Sequence, residues 1–280
     1  MPLDEKTAVP TAHDEGTGMT DRQAKLRFEG VHKSFHTRRG EVTALSPIDL
    51  TVYQGDFIAL VGPSGCGKST LLMIAAGLEA ASGGTVLADG APMREPGPDR
   101  CVVFQRFALF PTKTVTGNVE YGLRMTGVPK AERRERVRET LGMVGLSAFA
   151  DAYPHELSGG MQQRAALARS IVMRPDVLLM DEPFGALDAQ TRIIMQEEIA
   201  RIARDLGLTV LLVTHSVEEA VYLCNRIIVL TARPGAIKHE FTVDDDWSHH
   251  SVDEAMAQPG FGSLQRTVWN AVREEITSVQ

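Results

Sequence analysis

The stretch that most limits what this chain can fold into is "FIALVGPSGCGKST", Phe57 to Thr70. An unbroken apolar run is how a strand buried on both faces of a parallel sheet reads. It passes into a glycine-rich loop and then into the helical run "TLLMIAAG". Strand, G-x-x-x-x-G-K-[ST] loop and helix, in that order, bind phosphate by geometry. The glycines let the backbone curl until successive N–H groups point inward, and the helix start adds its dipole. Gly62, Pro63, Ser64, Gly65, Cys66 and Gly67 form the cradle, and Thr70 ends the motif. Lys68 reaches the β- and γ-phosphates as a point charge, and the Ser69 hydroxyl is suited to Mg2+. Cys66, inside this loop, is expected to be open to a maleimide and shielded by bound nucleotide. The expected fold is α/β with a mainly parallel sheet.

Further apolar runs end in chemistry. "VLLMDEP" carries Asp181 to the carboxyl edge of a sheet, beside the phosphate loop, where a carboxylate can hold magnesium. Glu182 points to the other face and can orient or deprotonate a water that attacks the γ-phosphate. "TVLLVTH" brings His215 to the same edge as a sensor of the γ-phosphate, and Gln105 comes after "CVVF", within reach of metal or water.

The chain has 280 residues and a net charge of −7, with no basic face advertised for nucleic acid. No apolar run is long enough to span a membrane, the start lacks a secretory signal, and the three cysteines fit reduced thiols, so a cytoplasmic location is expected. Residues 1–24 are polar and aperiodic and read as a flexible tail. The 25–235 body opens with alternating segments, "KLRFEGVHKSF" and "VTALSPIDLTVYQGD", that read as antiparallel strands. Residues from about 115 to 165 contain no such strand, but Val137, Leu141 and Val144 recur at helical spacing, so an inserted helical lobe is expected. Residues 236–280 form an acidic extension: from 239 onward eight acids face two arginines, and His249 and His250 read as solvated in a flexible tail.

One stretch asks for a second anion. "LSGGMQQRAALARS", Leu157 to Ser170, sets two glycines behind a serine at the start of a helix, although a better phosphate site lies upstream. Taken with "VVFQ", "VLLMDEP", "GALD" and "VTHS" in that order, the chain resembles the ATP-binding cassette ATPase domain over about residues 25–235. The resemblance implies a P-loop NTPase core with an N-terminal antiparallel β subdomain and an inserted helical subdomain. It implies ATP and Mg2+ as ligands and a head-to-tail pair of such domains. In that pair Ser158, Gly159, Gly160 and Gln162 of one copy close over the γ-phosphate held at Lys68 of the other. By the same resemblance Gln105 is the Q-loop residue, Asp188 the D-loop aspartate, His215 the switch histidine and Phe35 the aromatic that stacks on adenine.

A narrower likeness rests on "EPGPDRCVVFQRFALFP", "DEPFGALDAQTR" and "VEEAVYLCNRIIVLTARPGAI", which are similar to the nitrate, sulfonate, taurine and bicarbonate branch of importers. It implies a stand-alone ATPase on the inner face of the membrane, a separate permease partner and a solute-binding protein in the same system. Thr112 and Lys113 stand where that branch has a bulky apolar pair, in a segment leading to the permease. A soluble cassette acting on nucleic acid or the ribosome would carry two cassettes, a coiled-coil or zinc insertion, or a basic patch, and a P-loop kinase would not need "LSGGMQQR".

Overall fold

The structure is a computed structural model and describes residues 22–38 and 40–277. The segment read as a tail lies outside the described residues up to position 21; Arg22 already pairs with Asp56, and the first strand starts at Ala24. Strands β1 (Ala24–Thr37) and β2 (Gly40–Tyr53) are antiparallel. After β3 (Phe57–Val61), the phosphate loop and α1 (Lys68–Ala75), the strands β4 (Gly83–Ala88) and β5 (Ala91–Pro92) complete a sheet in the order β2-β1-β4-β5. β6 (Arg100–Val103) enters a second sheet.

The helical lobe comes next as α2 (Val115–Met125), α3 (Lys130–Met143), 3-10 turns at Ser147–Phe149 and Pro154–Glu156, and α4 (Gly159–Ile171). Val137, Leu141 and Val144 are buried, as their spacing requires. Charges elsewhere on α3 pair along the solvent face, Arg136 with Glu132 and Arg138 with Glu135. Pairs this exposed contribute little to stability.

The chain then alternates strand and helix: β7 (Val177–Asp181), α5 (Ala189–Leu206), β8 (Thr209–Val213), α6 (Val217–Leu223) and β9 (Arg226–Leu230). β10 (Ile237–Thr242) closes the second sheet in the order β10-β9-β3-β8-β7-β6, parallel except for β10. The unbroken apolar runs have a direct cause. In β3, Ile58 and Leu60 face a core shared with α1 and the antiparallel sheet, whereas Phe57, Ala59 and Val61 face a larger core shared with α2 to α6. β8 and β9 divide in the same way, because successive side chains leave a strand on opposite faces.

The tail reading of His249 and His250 is corrected. Beyond β10 come a 3-10 turn at Trp247–His249, α7 (Val252–Met256) and α8 (Pro259–Thr277). Trp247 and Phe261 meet edge to face at 5.2 Å, and Val252, Val268 and Val272 enter the larger core. His249 pairs with Asp246 at 2.9 Å, and the His250 carbonyl accepts the Tyr222 hydroxyl at 2.9 Å. Several acids counted as surplus have partners: Glu240 pairs with Arg226, and Glu274 and Glu275 pair with Lys238. Nor does the chain change character at 235/236, since β10 pairs with β9 across that point. The anchors of α8, Phe261, Leu264, Val268, Ala271 and Val272, recur at helical spacing, a periodicity that the acidic count of this segment overrode in the tail reading.

Candidate nucleotide site

Five parallel strands deliver their carboxyl ends to one edge of the sheet, and the residues just beyond those ends build the site. The phosphate loop succeeds β3, Gln105 lies just past β6, Asp181 ends β7 with Glu182 next, and His215 lies just past β8. A cavity of about 480 Å³ opens there, walled by Ser64, Gly65, Gly67, Lys68, Ser69 and Thr70 of the loop and by Phe35, Ala44, Glu182, His215 and Arg233. Gly62, Pro63 and Cys66 of the loop are not on that wall. Gly67 has φ 100°, a conformation that favours glycine, and no side chain caps the helix it begins. The first N–H groups of α1 are therefore left for a ligand.

Lys68 is 7% exposed, and its Nζ donates to the carbonyls of Gly62 at 2.8 Å and Pro63 at 2.9 Å, within the loop it is expected to serve. The Ser69 hydroxyl donates to Asp181 Oδ1 at 2.9 Å. Burial raises the Asp181 carboxyl above the usual aspartate range and the charge of Glu182 adds to this, while Ser69 and Lys68 pull the other way. One carboxylate and one hydroxyl are hard oxygen donors of the kind magnesium takes when phosphate oxygens and water fill its remaining positions. Among the described residues no group of three or more His, Cys, Asp or Glu could hold a metal without such help.

Glu182 sits between two partners. Gln105 Nε2 donates to its Oε2 at 3.1 Å, and His215 Nδ1 lies 3.5 Å from the same oxygen. Its backbone has φ 46°, unusual for a residue with a side chain and a pattern that clusters at functional sites. The amide of Gln105 thus goes to the carboxylate, while Ser69 and Asp181 bond each other. Phe35 stands on the cavity wall, 37% exposed, with Lys33 Nζ 4.8 Å from its ring centroid.

The remaining expected ligand residues lie off that wall. Ser158 caps α4, accepting from Met161 N at 3.4 Å, and Gly159 and Gly160 form the first turn of α4. Gln162 turns back, its Nε2 donating to the carbonyls of Pro154 at 3.0 Å and Leu157 at 3.2 Å. Asp188 caps α5, accepting from Thr191 N at 3.0 Å and Thr191 Oγ1 at 2.7 Å, and these bonds hold its carboxyl below the usual range.

Two findings differ from the sequence reading. Cys66 is 2% exposed, with Sγ 3.7 Å from Lys68 Nζ, so the loop must open before a maleimide reaches it. Burial also pushes Cys101 up to about 11 and raises Cys224 well above a normal thiol, which disfavours their reactive thiolates. Ala44 and Arg233 were not anticipated on the cavity wall. For Arg233 the signal was present: "RIIVL" is another apolar run ending at the same edge, the argument that found Asp181 and His215.

The family model described as ABC transporter matches residues 45–185. The chain is 51% identical over 232 residues to an ABC transporter ATP-binding protein of Methanocaldococcus jannaschii, covering 82% of this chain and 87% of that one. It is 48% identical over 219 residues to a nitrate import ATP-binding protein of Synechocystis, covering 78% and 82%. It is also 49% identical over 214 residues to a bicarbonate transport ATP-binding protein of Synechococcus elongatus, covering 75% of this chain and 32% of that longer one. Among solved structures, a dimeric post-hydrolysis ATP-binding cassette bound to ADP and Pi has a TM-score of 0.70 at 32% identity, covering 79% of this chain and 99% of that one. CbiO1 of Clostridium perfringens, part of an ABC transporter complex, has a TM-score of 0.71 at 26% identity, covering 87% and 99%. The chain belongs to the ABC transporter family and is an ATP-binding, ATP-hydrolysing cassette of that family.

Proposed function

We propose that this cassette powers an importer for a small anion such as nitrate, sulfonate, taurine or bicarbonate, working as a head-to-tail pair on a separate permease. The observation that carries the paired reading is the place of α4: its N-terminal turn, with Ser158 and Gly159 exposed, lies off the wall of the cavity that holds Lys68. An N-terminal turn of this kind is suited to an anion brought to it by a second copy. The relatives named for nitrate import and bicarbonate transport support the substrate class. No helix among the described residues is long and apolar enough to cross a membrane, and in this proposal the permease supplies the membrane-spanning part. We place the pair on the inner face of the membrane, with a solute-binding protein in the same system. The loop before α2, where Thr112 and Lys113 stand, is the proposed permease contact. Buried Asn118 braces it, accepting from Phe110 N at 2.7 Å and donating to the Lys113 carbonyl at 3.1 Å.

In the catalytic step Glu182 orients and deprotonates the attacking water, Gln105 and His215 hold its carboxylate in place, and Lys68 turns from the loop carbonyls to the β- and γ-phosphates. Phe35 stacks on adenine. Ser69 and Asp181 would hold Mg2+, which neutralises charge on the phosphates when bound. Closure of the pair over two ATP molecules drives the permease outward, and hydrolysis reopens it.

The test uses Glu182→Gln, which keeps shape and loses the base. With MgATP it is expected to run as a dimer by light scattering, and with MgADP as a monomer. Adding Ser158→Arg is expected to abolish the dimer while each chain still binds ATP. Equal dimerisation with and without Ser158→Arg would show that "LSGG" does not meet the partner's nucleotide.

A further inference from the structure

The loop from Thr231 to Ala236 is tied to the phosphate loop more closely than a link between β9 and β10 requires. It is braced internally, with Thr231 N donating to Ala236 O and Ala236 N to the Thr231 hydroxyl, both at 2.9 Å. It is also sewn to β2: Gly235 N donates to Ala44 O and Ser46 N to Gly235 O, each at 2.9 Å. A Cβ on Gly235 would stand 2.0 Å from the Cys66 carbonyl oxygen, so only glycine allows this approach. The result is that Arg233 stands on the wall of the same cavity as Phe35, Ser64, Lys68 and Thr70. Its guanidinium has no ion-pair or hydrogen-bond partner among the described residues.

The C-terminal helix supports this loop from behind. The Glu275 carboxylate accepts the N–H of Ala232, the residue before Arg233, at 2.9 Å. The same carboxylate pairs with Lys238 at 2.8 Å, and the neighbouring Glu274 pairs with Lys238 at 2.7 Å.

We propose that Arg233 is a nucleotide-binding residue whose guanidinium contacts the phosphates common to ATP and ADP, and that Glu275 is a positioning residue that holds its loop against the phosphate loop. The proposal rests on the reading of the Lys68 cavity as the nucleotide seat. A triphosphate brings several negative charges to walls whose other charged groups are Lys68, Glu182 and the titratable His215. An arginine without a protein partner complements that charge and can bond two oxygens at once. Its loop is anchored on Ala44 of β2 and on Cys66 of the phosphate loop, whereas Gln105 and His215 contact Glu182 and not this loop, which assigns it to the shared phosphates.

The experiment is calorimetric titration of the full chain with MgATP and MgADP. Arg233→Ala is expected to raise both Kd values by about tenfold, with Arg233→Lys recovering part of the loss. Glu275→Ala is expected to raise both by about twofold to threefold and to add nothing in the Arg233→Ala background. Glu274→Ala is expected to leave both unchanged. Unchanged Kd values in Arg233→Ala, with Lys68→Ala still losing nucleotide, would overturn the assignment and leave the cavity reading standing. Loss of affinity for ATP alone would overturn the shared-phosphate contact, and additive losses in the double variant would overturn the role of Glu275. Normal binding by Lys68→Ala would remove the cavity reading and this proposal together.

Discussion

Two helices of this chain have glycines at their starts, before α1 and in the first turn of α4, and the fold treats the two starts in opposite ways. α1 starts behind Gly67 with no side-chain cap, and the loop before it curls around a cavity. α4 starts behind Ser158, whose hydroxyl accepts from Met161 N, so one of its free donors is already used. Around α1 the loop, β2 and the Thr231–Ala236 segment close in, whereas Ser158 and Gly159 stand exposed and Gly160 rests against α5. A glycine-rich helix start is therefore an anion site only in combination with what surrounds it. The same local chemistry lines a cavity in one place and stands open to solvent in the other.

The largest effect that can break this contrast is at Lys68. Lys68→Ala is expected to lower ATP hydrolysis by at least about a hundredfold, because no other cation stands in the first turn of α1. Phosphate release at near-normal rate would mean that this helix start is not the seat. Next comes Glu182→Gln, expected to slow turnover by about a hundredfold while the Kd for ATP stays within about twofold. An equal loss in binding would place Glu182 on the nucleotide itself and not on the water.

The α4 side is sharpened by Gly160→Ala. The added Cβ would fall 2.6 Å from Thr191 Cγ2, so α4 or Thr191 must shift. A loss of about 1–2 kcal/mol is expected in urea unfolding, with unchanged m. An unmoved midpoint would show that the start of α4 is loosely seated.

The smallest effect concerns Asp181. Its pKa is raised by burial, so its contribution to stability is fully present below the unfolded aspartate value, about 3.9, and is lost as pH rises through the folded value. Asp181→Asn, which never ionises, is expected to raise the Tm of the ligand-free chain by about 1–2 °C at pH 7 and to lose that advantage below about pH 4, although it impairs hydrolysis. A gain that persists at low pH would show that the cost at Asp181 is not one of ionisation.

The strand, phosphate loop and start of α1 were legible in the amino-acid sequence, because phosphate binding there depends on residues adjacent in the chain. The double burial of β3, β7 and β8 was legible for the same reason, since a strand covered on both faces excludes a polar alternation. From parallel strands ending at one edge, Asp181, Glu182 and His215 could be placed together from the sequence. The approach of Gly235 to Cys66, the support of Ala232 by Glu275 and the burial of Cys66 needed the tertiary structure. So did the packing of Trp247 and Phe261 in the extension. These contacts join separate segments of the chain, and no local pattern names the partner: one glycine admits a carbonyl, one carboxylate accepts an amide, one ring meets another edge-on. Local periodicity reports which face of an element is buried, but which segment covers it is decided only when the whole chain has packed.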